Sequence, residues 1–263
     1  MKIDFAARVE IGIKETNDDR VLVDGNILDQ CCLEGTVEMP AVVAVCDGCG
    51  GYYGGNIAAQ TVLEILSKEE PLALIDPNYL SQTLNKCIKA VMEKKEEFPQ
   101  YSEMCTTIAG CIFSDNSISF YHSGDSRVYR IDQWGLSKMT RDHSVVQEMV
   151  DMGEITPEEA AVHPKRNVIT RCIGIDGLPP EIYVSNTTVN PGDIFVFCSD
   201  GLWEYISESD FMSLIESGLP LKQIANELVE LALKQGSEDN ISVCICAGQG
   251  TSETQENAPF ILD

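Results

Sequence analysis

The sequence predicts an α+β fold built on antiparallel sheets, and three observations carry that reading. Several segments alternate apolar and polar residues with period two, as antiparallel strands with one face on a core do. Others repeat apolar residues at helical spacing. Strand-like and helix-like runs also interleave along the chain in the manner of a layered α+β architecture. Acidic motifs with a shared chemistry run from Asp18 to Asp239, which makes one domain over residues 1–250 more economical than two.

Taken in order, residues 3–11 place Ile3, Phe5, Ala7, Val9 and Ile11 on one face of a first strand, where a signal peptide would carry a longer apolar stretch. A second strand covers residues 20–23. Residues 24–40 read as an irregular insert holding Cys31 and Cys32. Residues 41–46 are the longest clean apolar run, far too short to cross a bilayer. Helix patterns cover residues 56–67 and 78–95, and strands cover 105–113, 117–122 and 127–131. Helical segments 144–152 and 157–161 follow, the latter announced by Thr156-Pro157-Glu158-Glu159, a capping box with proline at the first helical position. Residues 141–176 carry charges, glycine and proline and read as an exposed excursion from the sheets. Strands then cover 181–189, 194–198 and 241–247, and helices 208–216 and 221–234. The last helix lines up Leu221, Ile224, Ala225, Leu228, Val229 and Ala232 in one stripe. Residues 251–263 are polar and acidic and read as a flexible tail.

The 263 residues carry a formal charge of −24, with 44% hydrophobic and 23% charged residues. That composition is of the globular kind. The charge argues against a sequence-independent grip on nucleic acid, which needs Lys and Arg to neutralise phosphates, and against anionic membrane surfaces. A cytoplasmic monomer is the expectation. The 11 cysteines are odd in number and many lie in strand-like runs, which suits reduced thiols. Cys46 and Cys49 form a Cys-x-x-Cys without the second pair that a zinc site would use, so a redox pair and a plain strand-end turn both remain open. His122, His143 and His163 are not at metal-ligand spacing from one another and read as structural or surface residues.

Four acidic motifs stand where strand-like runs begin or end: Asn17-Asp18-Asp19, Asp47-Gly48-Cys49-Gly50-Gly51, Ser199-Asp200-Gly201 and Glu238-Asp239-Asn240. Carboxylates at strand ends can converge in space, and a cluster of Asp oxygens suits hard divalent cations such as magnesium or manganese. An Asp at position 47 can bridge two ions, with the Gly48 carbonyl as a further oxygen donor; a glycine-rich turn is the structural alternative. Asp239 can serve as a ligand while Asn240 orients its loop by side-chain hydrogen bonds, or the pair can be a simple turn before a strand. Asp125 in Gly124-Asp125-Ser126-Arg127 is either a hairpin turn residue or a further carboxylate near the metals.

In this order the motifs resemble the metal-dependent protein phosphatase family, also called protein phosphatase 2C, and most of all its compact bacterial members. Further matches are Thr106-Thr107, His122-Ser123-Gly124-Asp125-Ser126-Arg127, Thr140-Arg141-Asp142-His143-Ser144, and residues 163–171 leading to Gly174. The resemblance implies a four-layer αββα sandwich, two central antiparallel sheets flanked by helices, with the metals at one sheet edge. It implies two manganese or magnesium ions per chain and a third, weaker ion. Asp47, Gly48, Asp200, Asp239 and Asp19 would be ligands, Asp18 would act through water, and Asp125 would join Asp200 on the third ion. It also implies a mobile flap over 141–176 and hydrolysis of serine and threonine phosphomonoesters in phosphoproteins, substrates of a Ser/Thr kinase. The attack would come from a hydroxide bridging ions roughly 3.5–4 Å apart, without a phosphoenzyme.

Two residues depart from that pattern. Lys14 stands where the family's phosphate-clamping Arg does and offers a point charge in place of a fork. Cys49 stands where many eukaryotic members have a His, and a thiol is a poorer proton donor, so Cys49 is not assigned a catalytic part. A silent phosphatase-like binding module is the rival from another class, and a regulatory phosphatase devoted to one partner is a third reading. Lys165, Arg166 and Arg171 would help draw phosphopeptide to an acidic protein.

Overall fold

The structure is a computed structural model and describes residues 1–49, 54–175 and 179–249. Its strands are β1 (Lys2–Glu10), β2 (Arg20–Val23), β3 (Asn26–Leu28), β4 (Cys31–Glu38), β5 (Ala41–Cys46), β6 (Gly48–Cys49), β7 (Cys105–Thr106), β8 (Ile108–Phe113), β9 (Ile118–Ser123), β10 (Arg127–Asp132), β11 (Gly135–Lys138), β12 (Glu181–Ser185), β13 (Ile194–Cys198) and β14 (Ile241–Gly248). The helices are α1 (Gly55–Leu66), α2 (Pro71–Leu74), α3 (Pro77–Glu97), α4 (Val145–Asp151), α5 (Pro157–Ala161), α6 (Asp200–Trp203), α7 (Glu208–Ile215) and α8 (Leu221–Lys234).

Two six-stranded antiparallel sheets form the centre, in the orders β11-β10-β13-β14-β1-β4 and β12-β9-β8-β5-β2-β3. Alternation explains how they stack. Val43 and Val45 of β5, Cys111 and Phe113 of β8, Phe5 of β1, Phe195 and Phe197 of β13 and Cys246 of β14 point into the space between the sheets. Phe113 and Phe195 meet edge to face there, ring centroids 5.0 Å apart. The opposite face of β5, with Val42, Ala44 and Cys46, packs on α1 and α3 through Ala58, Val62, Leu84 and Cys87. The outer face of the other sheet, with Val196, Val243 and Ile245, packs on α7 and α8. The result is the αββα sandwich that the family resemblance implies. Because the second sheet covers one face of β5 and α1 and α3 cover the other, this central strand is buried along its whole length, which accounts for its continuous apolar run. The α8 residues Ile224, Ala225, Leu228, Val229 and Ala232 are buried as one stripe, and both hydrogen bonds of the Thr156–Glu159 capping box are present. Among the described residues no helix is long and apolar enough to cross a membrane.

Three sequence expectations need correction. Residues 24–40 are not irregular: β3 pairs with β2, and β4 is the edge strand beside β1, with Val37 opposite Ile3 and Leu33 opposite Ala7. On β4 only Leu33 and Val37 lean on the core while Glu34 and Thr36 face outward, so an edge strand in solvent lacks the apolar density that marks a strand in sequence. The strand expected over 105–113 is broken at Thr107, whose N–H leaves the ladder for the Asp47 carbonyl at 2.8 Å. The strand expected over 181–189 ends at Ser185. The tail 251–263 lies outside the described residues, as do Gly50, Gly51 and Asp176.

Candidate metal centre

Pairing register brings the acidic motifs to one end of the sandwich. Arg20 at the start of β2 lies opposite Cys46 at the end of β5, and Cys198 at the end of β13 lies opposite both Val243 near the start of β14 and Arg127 at the start of β10. Asp18 and Asp19 before β2, Asp47 after β5, Asp125 before β10, Asp200 after β13 and Asp239 before β14 therefore share that end.

Local hydrogen bonds fix each acid. The Asp47 carbonyl accepts from Thr106 Oγ1 (2.9 Å) and Thr107 N (2.8 Å), while Asp47 N donates to Thr107 Oγ1 (3.0 Å). Thr107 Oγ1 in turn lies 2.7 Å from Ser126 Oγ, beside Asp125. Gly48 N donates to the Asp18 carbonyl at 3.2 Å. A Cβ on Gly48 would come within 2.3 Å of the Gly55 carbonyl, so only glycine lets the Asp47–Gly48 corner sit against the start of α1. Asp18 Oδ1 accepts from Asn56 N at 3.0 Å. Asn240 holds the loop before β2 from across the molecule: its Oδ1 accepts from Asp18 N (2.8 Å), and its Nδ2 donates to Ile11 O (2.9 Å) and Thr16 O (3.0 Å). Asp200 is the first residue of α6, packed so closely on β14 that a Cβ on Gly201 would fall 2.0 Å from the Asn240 carbonyl.

Asp19 is 1% exposed. Its Oδ2 accepts from Ser199 Oγ at 2.7 Å, and its Oδ1 is buried with no hydrogen-bond partner. Burial, with repulsion from Asp200 and Asp239, pushes its pKa up to about 7 against the donated bonds of Ser199 and Ser242. Burial and then Asp200 and Asp142 push Asp125 to about 8. Asp47 is driven well above the carboxylate range by burial and by Asp200, Asp19, Asp125 and Asp239. Asp200 is raised by burial and Asp239, moderated by a hydrogen bond with Asp47. Asp18 is raised by burial. Half-exposed Lys14 faces this cluster with its Nζ 3.1 Å from Asp239 Oδ1; burial works against its charge, but Asp239, Asp200 and Asp47 raise its pKa on balance.

Buried carboxylates that raise one another's pKa lack countercharge, and divalent cations are the groups that supply it. The donor set is all oxygen, which fits magnesium or manganese better than thiophilic metals. Among the described residues, the trios whose ligating atoms all lie within 4.8 Å of one another are Cys49, Cys105 and Cys172, and His122, His143 and Glu181. No three of the acidic residues at the sheet ends form such a trio among the described residues.

The segment over residues 141–175 lies beside this end, held by bridges between Thr106 and Ile173 and between Ser144 and Ile169. A cavity of about 560 Å³ opens between it and α6, lined by Asp125, Arg127, Val146, Ala160, Arg166 and Trp203 among others. Arg127 grips Asp142 at 2.6 Å and lies 3.3 Å over the Trp203 ring, whose Nε1 donates to the Asp125 carbonyl at 3.0 Å. Of the basic residues in the segment, Arg171 pairs with Glu181 at 2.8 Å and Arg166 approaches Glu204 at 3.8 Å, while Lys165 is exposed.

Sequence spacing missed several neighbours. Thr107 and Ser199 brace Asp47 and Asp19; the sequence marked them only as members of the motifs Thr106-Thr107 and Ser199-Asp200-Gly201, with no part assigned to either side chain. His122 and His143 are not apart: their rings stack with centroids 4.6 Å apart, because β9 and the loop after β11 fold together. Cys49 lies with Cys105, Sγ atoms 3.1 Å apart, while Cys46 is buried under α1 and α3. The Cys46–Cys49 redox pair has no basis in this arrangement.

A match to the family described as Protein phosphatase 2C covers residues 178–241. The serine/threonine phosphatase stp of Listeria monocytogenes is 31% identical over 213 residues, covering 78% of this chain and 83% of the relative. The serine/threonine protein phosphatase PstP of Mycobacterium tuberculosis is 31% identical over 250 residues, covering 92% of this chain; the chain spans 44% of that relative's length. The crystal structure of the Mycobacterium tuberculosis PstP superposes with a TM-score of 0.82 at 29% identity, over 95% of this chain and 100% of the other. The catalytic domain of PstP in complex with two manganese ions gives a TM-score of 0.79 at 28% identity, over 95% and 99%.

Proposed function

This chain belongs to the protein phosphatase 2C family, and on that premise we propose that it is a metal-dependent phosphatase of phosphoserine and phosphothreonine in proteins. The observation that carries the reading is the gathering of Asp19, Asp47, Asp125, Asp200 and Asp239 at one end of the sandwich, where the first four have raised pKa values and one Asp19 oxygen is orphaned. In this reading residues 1–250 form one phosphatase domain, working as a monomer in the cytoplasm on substrates of a Ser/Thr kinase.

Asp47 and the Gly48 carbonyl would hold the two ions, with Asp200, Asp239 and Asp19 as further ligands and Asp18 acting through water. Asp125 and Asp200 would hold a third, weaker ion. When bound, the two divalent cations, manganese or magnesium, supply a water of lowered pKa and positive charge for the phosphoryl oxygens. The chain's own part is orientation. Thr106 and Thr107 lock the Asp47 backbone, and Asn240 locks the loop that presents Asp18 and Lys14. Lys14 offers its ammonium to phosphate as a point charge, free to turn from Asp239 when phosphate arrives. No side-chain nucleophile is needed, so no phosphoenzyme forms.

The test is hydrolysis of a small phosphate ester and a phosphothreonine peptide with added manganese, against chelator, alongside calorimetry. Turnover that chelator abolishes, and that Asp47→Asn and Asp200→Asn remove, is the expected result. Manganese uptake without turnover of either substrate would favour a silent binding module, and no uptake would end the metal reading.

A further inference from the structure

Three sulfurs meet beside the acidic loop and take no part in the chemistry above. Cys49 of β6 lies directly opposite Cys105 of β7 in the two-stranded ladder, Sγ to Sγ 3.1 Å. Cys172 arrives from the far end of the 141–175 segment, fixed by the mutual backbone bonds of Thr106 and Ile173 (3.0 and 2.8 Å). The three Sγ atoms all lie within 4.8 Å of one another, and all three residues are free thiols. Cys172 is 1% exposed, while Cys49 and Cys105 are half-buried, so the cluster has a closed floor and an approachable side. Hydrogen bonds from Cys172 and then Cys49 lower the pKa of Cys105, while Cys49 and Cys172 are raised in return.

Three sulfurs sharing one ion at about 2.3 Å sit about 3.8 Å from one another. The Cys49–Cys105 pair reaches that spacing by opening less than an ångström, and the other two separations are no more than 4.8 Å. A disulfide would join two of these atoms and leave the third buried beside it; an ion employs all three. Soft sulfur donors discriminate against the hard cations suited to the neighbouring carboxylates, so two chemically distinct metal sites can stand side by side.

We propose that Cys49, Cys105 and Cys172 form a thiolate site for one thiophilic d10 metal ion of the zinc or copper(I) kind, with its remaining position open to solvent. Such an ion ties β6, which carries Gly48, to the base of the 141–175 segment, and clamps the acidic loop to the element that lines the adjacent cavity. The site stands independently of the phosphatase reading.

Cobalt(II) is the probe: it is titrated into the full, reduced chain under anaerobic conditions with excess magnesium to fill the carboxylate sites. The expected result is a sulfur-to-cobalt charge-transfer absorption that saturates at about one equivalent per chain and is displaced by zinc. Cys172→Ser and Cys105→Ser, each shown folded by circular dichroism, should weaken binding by at least about tenfold, the loss expected for removal of even an outer partner of a metal ligand. Cys31→Ser with Cys32→Ser should titrate like the parent chain. Absence of the band, a band unchanged in Cys172→Ser, or a band that disappears with Cys31 and Cys32 would overturn the proposal. So would a reduced chain that takes no cobalt but closes a Cys49–Cys105 disulfide in air.

Discussion

Ser199 holds the buried centre together with one hydroxyl: its Oγ donates to Asp19 Oδ2 and accepts from Ser242 N at 3.0 Å. Ser199→Ala takes one donor from the buried Asp19 carboxylate and the acceptor from Ser242 N, and should lower unfolding free energy by about 1–3 kcal/mol in chemical denaturation. His143 gives a pH dependence of definite sign. Burial first, then the charge of His122, lowers its pKa to about 4, and its Nδ1 accepts from Gly124 N at 3.2 Å, which only the neutral ring can do. The folded pKa lies below the unfolded value of about 6.5, so the unfolded chain binds the extra proton first. This contribution to stability is whole above about pH 6.5 and is lost as pH falls towards 4. Arg171 and Glu181, which face the same ring, act in opposite directions and leave the net shift downward. Melting temperatures across that window should fall less steeply in His143→Gln than in the parent; parallel curves would rule the contribution out.

Among the elements, α6 is the most exacting, because its first residue is Asp200 and its second touches the turn before β14. Gly201→Ala drives a Cβ into the Asn240 carbonyl, so α6 must lift away and carry Asp200 from Asp239. Turnover should drop about 10²-fold, the usual cost of an ångström's misplacement, with manganese affinity falling in the same calorimetric titration. The segment carrying α4 and α5 has a proposed part in meeting substrate rather than metal. Reversing the charges of Lys165 and Arg166 should raise KM for a phosphopeptide more than for a small ester, and equal effects on both would refute a role in attracting peptide. Arg171, held by Glu181, should matter less.

At the scale of the whole molecule, a formal charge of −24 is a standing self-repulsion. Manganese should raise the melting temperature at neutral pH, by about 2.7 kcal/mol of stability when free ion stands at 100 times its dissociation constant, and chelator should reverse the gain. Sodium chloride should give a smaller rise through screening alone, and scanning calorimetry separates the two. Strand and helix identity was legible in the chain wherever an element is covered by a layer, because burial writes a period of two, a continuous apolar run or a helical stripe into the residues, as in β1, β5 and α8. The acidic motifs were legible too, because Asp beside Gly at strand ends is a local pattern. Elements in solvent were not: β4 pairs along its whole length yet leans on the core through only Leu33 and Val37. Nor could spacing reveal partners that meet across layers. Cys49, Cys105 and Cys172 became neighbours, and His122 stacked on His143, only once the sheets had set their register, since such contacts depend on where separate strands end in space and not on any residue's place along the chain.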